Sequence, residues 1–359
     1  MVNSWFTFFF IKSILKQSGG VLCIFLQQMD YGLKVNFNHI ENERRNMSKI
    51  IKSLCVYGIG GVGGYFGGRI MNVINKSNQA IQVYFIGRGE HLKMIQQQGL
   101  NLITDTEEIQ CFPNIASDNV KYIPAPDMYL LCVKGYDLKN AVTSISKKST
   151  VDTIILPLLN GVDIYERIRT GLPKAIILPA AVYVSSSIEK PGTIRQKGPE
   201  GRIVFGKDPQ NQSYNYQYMI EFFKEMGIST TWSDNPYPAI WEKYVFISAF
   251  SLTTAFSGKT IGEILADDKL KSMTENIIKE VLLIGKAKNV DFRHDIEEKT
   301  LQIASNFPYE TKTSFQRDYE KGNNRHEGDI FGGTLIRLAK KHDISIPTIT
   351  EVYGALVKG

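Results

Sequence analysis

Three kinds of residue in this chain have types and spacing suited to chemistry. The first is a glycine run, Gly58-Ile59-Gly60-Gly61-Val62-Gly63, which follows a short apolar stretch (Ile51 to Tyr57) and opens the helix-like GYFGGRIMNVI. Gly58 permits a tight turn off a strand, Gly60 has no side chain to hold back a pyrophosphate, and Gly63 lets a helix lie close to a sheet. The helix start adds free N–H groups and the positive end of its dipole, so the chemistry is phosphate binding. The second is Arg88, in Gly87-Arg88-Gly89 at the tip of the next apolar run, Ile81 to Ile86. Its planar fork pairs with phosphate oxygens. The third is Lys243, one of only two charges (with Glu242) in the apolar run Ala239 to Phe256. At the rim of a buried helix a lysine is partly desolvated, which lowers its pKa and eases proton donation. The other reading places Lys243 on exposed first turns, paired with a neighbouring acid.

The glycine run is informative because an apolar strand precedes it and a helix follows it. A site for NAD ordinarily carries an Asp or Glu at the tip of the second strand to accept the ribose hydroxyls. None stands there, Glu90 coming later at the next helix start. Arg88 suits a 2′-phosphate instead, so NADP(H) is the expected cofactor, a solvated loop arginine being the alternative. The alternation then continues. Asp127 to Val133 reads as a buried strand followed by Lys134-Gly135, and Thr153 to Leu159 as another followed by Asn160-Gly161 and a helical DIYERIR. Strand–helix repetition with short connections predicts a parallel, doubly wound sheet, in which ligands sit beyond the carboxyl ends of the strands. Lys134 and Asn160 therefore face the same crevice as the glycine turn, although Asn-Gly is also a common turn pair. Residues 176–206 are expected to supply a hairpin or short strands that complete the sheet, and Thr230 to Pro238 a crossover. After Pro238 the pattern is almost wholly helical.

Composition narrows the classes. A chain of 359 residues, 43% hydrophobic and 22% charged, predicts two globular domains. The net charge of +6 is scattered, without the basic stripe of a nucleic-acid binder. Cys23, Cys55, Cys111 and Cys132 form no CxxC pair and the five histidines are dispersed, so no metal site is expected. A reducing, cytoplasmic setting is the default. In residues 3–27, Lys12 and Lys16 interrupt the apolar clusters, which fall short of the roughly 18–20 residues of a membrane span. Residues 1–47 are expected to be a poorly ordered extension, Met47 standing just before the first strand, with membrane anchoring as the other reading. The domains are then 48–235, binding NADP, and 236–359, helical, carrying substrate and catalytic groups.

The glycine run, Asn160-Gly161, Trp241-Glu242-Lys243 and His326-Glu327-Gly328-Asp329-Ile330-Phe331-Gly332-Gly333 resemble, in order and spacing, the ketopantoate reductase (2-dehydropantoate 2-reductase) family, from about Lys49 to Lys358. The resemblance implies an α/β fold: an N-terminal Rossmann-type doubly wound parallel sheet, an all-helical C-terminal domain, and an active site between them. It implies NADPH-dependent reduction of a small 2-keto acid, ketopantoate to pantoate, in pantothenate and coenzyme A biosynthesis. It puts Lys243 at the family's catalytic lysine and Glu327 at its active-site acid, orienting that lysine or holding ribose or substrate hydroxyls. Ser314 matches the serine that meets the substrate carboxylate, and Asn160 and Lys134 match residues of the nicotinamide and substrate pocket. Where the family commonly has asparagines one and two turns after the lysine, this chain has Ile247 and Ser251. A substrate hydroxyl loses a partner at Ile247. The expected partners are a small 2-keto acid and a second copy of the chain in a homodimer, with neither nucleic acid nor membrane. The competing readings are a related NADP-dependent hydroxy acid dehydrogenase of different substrate and a non-catalytic NADPH-binding sensor.

Overall fold

Six parallel strands run side by side in the order β5-β2-β1-β6-β7-β8, with β1 Ser53–Tyr57, β2 Gln82–Ile86, β5 Ile115–Ser117, β6 Met128–Leu131, β7 Ile154–Pro157 and β8 Ile176–Ile177. Counted along the chain this is the order 3-2-1-4-5-6 of a dinucleotide-binding sheet. The computed structural model describes residues 51–358 apart from 78, 213, 215, 323 and 324. The extension expected over 1–47 lies outside the described residues.

The central strands are apolar on both faces, as a sheet covered by helices requires. Leu54, Cys55 and Val56 of β1 and Met128 to Leu131 of β6 are fully buried. Asp127 sets their register: its Oδ2 accepts from the Ser53 N–H at 3.0 Å and its own N–H donates to Ser53 Oγ at 3.0 Å. Leu54 thereby pairs with Met128 and Tyr57 with Leu131. The crossovers are α1 Gly61–Ser77, α2 Gly89–Gln98, α3 Leu138–Ser146 and α4 Ile164–Gly171.

Residues 176–206 differ from expectation, since only β8 extends the parallel sheet. β10 Ser186–Lys190 and β11 Thr193–Gln196 join the hairpin β3 Leu100–Ile103 and β4 Glu108–Cys111 in a four-stranded sheet. β9 Ala180–Tyr183 and β12 Arg202–Gly206 form a third sheet with β13 Ser229–Ser233, after α5 Gln217–Glu225. Thr230 to Trp232, expected in a crossover, are strand residues paired with Ile203 to Phe205. The reason is tertiary: Trp232 packs edge-on against Phe205 and tilted on Tyr216, which no local pattern discloses.

From Tyr237 onward the described residues form helices. α6 Tyr237–Ser257 is apolar all round because it is the axis of this half: Trp241, Tyr244, Val245, Ala249, Phe250 and Leu252 are buried. It ends at Gly258, whose φ of 72° provides a left-handed cap. Around it lie α7 Ile261–Ala266, α8 Asp268–Ala287, α9 Ile296–Ser305, α10 Ser314–Glu320, α11 Thr334–Lys341 and α12 Pro347–Leu356. Among the described residues no helix is long and apolar enough to cross a membrane. Glu280 on α8 is buried and accepts from the Thr348 and Ile349 N–H groups, both at 2.8 Å, so that it caps α12 against α8. Glu280→Ala leaves those donors without an acceptor, and the expected cost is about 1–3 kcal/mol. Urea unfolding measures it, and a midpoint equal to wild type would show that the contact contributes nothing.

Candidate active site

The carboxyl edge of the parallel sheet is where the chemistry-bearing residues gather. β1 ends at Gly58, whose φ of 100° an L side chain rarely adopts; a Cβ there would lie 2.9 Å from the Cys132 carbonyl carbon. Gly63 packs still closer, a Cβ there falling 2.1 Å from the Gly58 carbonyl oxygen. Gly61 lies against β10, where a Cβ would come 2.3 Å from Ser186 O. Ile59 is buried beneath the turn and Val62 half-buried. Gly60 differs from all of these: no atom of the described residues lies within 4 Å of the position its Cβ would take. The turn is thus packed tight on its inner side and open at Gly60, at the N-terminus of α1. That is the shape a pyrophosphate requires, and the residues fit a dinucleotide.

At the tip of β2, Arg88 precedes α2 with its guanidinium 2.7 Å from Asp137 Oδ2. Asp137 ends the short 3₁₀ turn Gly135–Asp137 after β6, and its other carboxylate oxygen accepts from Arg325. Neither Asp137 nor Arg325 is marked by any sequence motif.

Lys134 stands at the head of that turn. Its ammonium donates to Glu327 Oε2 at 2.9 Å and to Asp318 Oδ2 at 3.0 Å, while Glu327 Oε1 accepts from the Gly135 N–H at 3.2 Å. Burial works to lower the Lys134 pKa, but the carboxylates of Glu327 and Asp318 outweigh it and raise it above the ordinary lysine value. Glu327 is itself 3% exposed. It leads into a π-helical turn, Asp329–Gly333, pinned by the Tyr244 hydroxyl donating to Ile330 O at 2.5 Å. Glu327, expected to orient Lys243 or to hold ribose or substrate hydroxyls, is hydrogen-bonded to Lys134 and the Gly135 N–H, and reaches Lys243 through its charge.

Lys243 lies in the second turn of α6. Its ammonium donates to Asn160 Oδ1 at 2.7 Å and to the Val182 carbonyl at 2.6 Å, and the Tyr183 ring centroid is 5.5 Å away. Both acceptors are neutral, and among the described residues no acid pairs with it. Desolvation lowers its pKa to about 8, against the opposing pull of the Glu327 charge. Asn160 follows β7, so this contact joins the helical half to the sheet edge. The small cleft around the pair is lined by, among others, Leu159, Gly161, Ala180, Ile240, Tyr244 and Ile247. Ser251, two turns beyond Lys243, is buried. Ser314 is exposed at the first position of α10 and, among the described residues, is bonded to none of Lys243, Asn160 and Glu327; its neighbour Thr313 meets Thr254 of α6 at 2.8 Å. Chemically, the cleft offers an amine that is charged at neutral pH and able to release its proton.

Two family models match the chain, "Ketopantoate reductase PanE/ApbA" over residues 54–210 and its C-terminal counterpart over residues 236–358. Uncharacterized oxidoreductase YkpB of Bacillus subtilis is 26% identical over 303 residues, which cover 84% of this chain and 96% of that protein. The crystal structure of 2-dehydropantoate 2-reductase from Porphyromonas gingivalis W83 has a TM-score of 0.71 at 27% identity, covering 86% of this chain and all of that one. D-mandelate dehydrogenase, solved with NADH and anilino(oxo)acetate, shares the fold with a TM-score of 0.75 at 18% identity, over 85% of this chain and 98% of its own.

Gly60 and Gly63 of the turn should respond differently to a methyl group. Gly63→Ala is expected to lower the melting temperature by several degrees, since overpacking against backbone costs about 1–3 kcal/mol or more. Gly60→Ala should melt within about 2 °C of wild type yet bind reduced nicotinamide dinucleotide at least about tenfold more weakly. Thermal melts and a binding titration check both; equal effects of the two substitutions would contradict the packing described.

Proposed function

The chain belongs to the ketopantoate reductase family and is an oxidoreductase acting on CH–OH groups, and from that premise we propose that it reduces a small 2-keto acid in the cleft beside Lys243. The observation that carries the reading is the Lys243–Asn160 contact. It holds an amine of the helical half at the carboxyl edge of the parallel sheet, the edge from which the glycine turn also leaves β1. A reduced nicotinamide dinucleotide, when bound, supplies the hydride. The residues of the chain do the rest. The glycine turn and the N-terminus of α1 hold the pyrophosphate. Lys243 donates a proton to the ketone oxygen, on which negative charge develops, and Asn160 and Val182 O hold the amine in place. Lys134, assigned to the nicotinamide and substrate pocket by resemblance to the family, is fixed in place by Glu327 and Asp318, so that its charge is neutralised by theirs. Ser251 and Ser314 are assigned to the substrate by resemblance to the family, Ser314 to its carboxylate.

Ketopantoate is the substrate named by the family, and its reduction to pantoate is the activity proposed first. One observation favours a second: Ile247 lines the cleft with Ile240 and two alanines, an apolar wall offering no partner for a substrate hydroxyl. A 2-keto acid with a plain hydrocarbon side chain, such as ketoisovalerate, suits that wall better.

A proton donor with a pKa near 8 acts as ammonium, so kcat/KM for reduction should fall as pH rises through about 8. Lys243→Ala is expected to lose about a hundredfold or more in kcat and to lose that alkaline limb, while still binding the dinucleotide. Turnover close to wild type in this variant would remove Lys243 from the mechanism. For the substrate, Ile247→Asn should raise the ratio of kcat/KM for ketopantoate over ketoisovalerate by about tenfold. An unchanged ratio would show that Ile247 does not face the substrate.

A further inference from the structure

We propose that Asp137 sets the coenzyme preference, accepting from the adenosine ribose hydroxyls and opposing a 2′-phosphate, so that the chain binds NADH in preference to NADPH. The inference rests on the dinucleotide reading above and refines it. In a sheet of this order the tip of the second strand faces the adenosine ribose, and either an acid there takes the hydroxyls or an arginine takes a 2′-phosphate. The sequence shows an arginine at that tip and no acid. The structure brings the acid from elsewhere: Asp137, 49 residues further on, lies 2.7 Å from the Arg88 guanidinium. Its second oxygen is taken by Arg325, whose guanidinium lies 4.9 Å from the centre of the Tyr136 ring.

The exposures rank the three groups. The Asp137 side chain is 15% exposed, whereas those of Arg88 and Arg325 are 67% and 58% exposed. The carboxylate is therefore the fixed member and the arginines are the movable ones. Two guanidiniums hold Asp137 charged and oriented, and each carboxylate oxygen keeps a second lone pair for a ribose O–H. A 2′-phosphate, bearing a charge of about −2, would sit beside a like charge that cannot move away, while competing with it for both arginines. The trio carries a net charge of only +1, the two cations less the one anion.

Calorimetric titration of the full chain with NADH and NADPH, and with adenosine 5′-phosphate and adenosine 2′,5′-bisphosphate, tests this without recourse to turnover. The expected result is NADH bound about fivefold tighter or more, with no gain in affinity from the 2′-phosphate on the adenosine ligands. Asp137→Asn should shift the NADPH-to-NADH affinity ratio toward NADPH by about tenfold or more. NADPH bound more tightly by the wild-type chain overturns the proposal, and this measurement needs no variant. Binding of both with the ratio unchanged in Asp137→Asn overturns it while leaving the dinucleotide site standing. Binding of neither overturns the dinucleotide reading as well.

Discussion

A lysine ammonium whose two acceptors are neutral oxygens is a costly thing to bury, and the architecture around Lys243 is arranged to make it possible. Transferring an unpaired charge out of water shifts the pKa toward the neutral form rather than being tolerated unchanged. The pKa of Lys243 is lowered to about 8 in this way, with Glu327 pulling in the opposite direction. The balance needs α6 rigid and buried, which its all-round apolar surface and the packing of Trp241 and Tyr244 supply. It also needs Asn160 and Val182 O presented by the sheet half at hydrogen-bonding distance. A salt bridge in place of either acceptor would hold the ammonium more tightly and make it a poorer acid.

The acids of the site are directed elsewhere. Glu327 and Asp318 converge on Lys134, and Glu327 also accepts from the Gly135 N–H, tying the turn after β6 to the helical half. Two lysines of one crevice are thereby held in opposite electrostatic conditions. Lys134 is surrounded by carboxylates and kept positive, whereas Lys243 is desolvated and left able to part with its proton. The same separation of environments lets one fold run acid and base chemistry near neutrality. The Tyr244 hydroxyl, bonded to Ile330 O, links the two lysine neighbourhoods, because Tyr244 is next to Lys243 on α6 and Ile330 follows Glu327 by three residues.

At the far end of the crevice two exposed guanidiniums meet one largely buried carboxylate. Arg88, Asp137 and Arg325 come from the tips of β2 and β6 and from the segment before Glu327, so three separate parts of the chain meet at one point. A group held there by two guanidiniums is oriented by its neighbours and not by its own element.

What the sequence by itself determined is whatever depends on near neighbours in the chain. The glycine turn was legible because Gly58, Gly60 and Gly63 each answer a local demand, a positive φ, an open face and a close helix. The parallel strands showed as apolar runs alternating with helical ones, and the helical character after Pro238 followed from the same periodicity. Lys243 could be singled out as an isolated charge in an apolar helix, but its exposure stayed open, because that depends on Asn160 and Val182, 83 and 61 residues away. Only the tertiary structure decided that Glu327 pairs with Lys134, that Asp137 sits on Arg88, and that Thr230 to Trp232 join a third sheet. Hydrogen bonds and ion pairs of that range leave no periodic trace in a sequence, since any exposed Asp or Arg looks alike until the fold brings one against another.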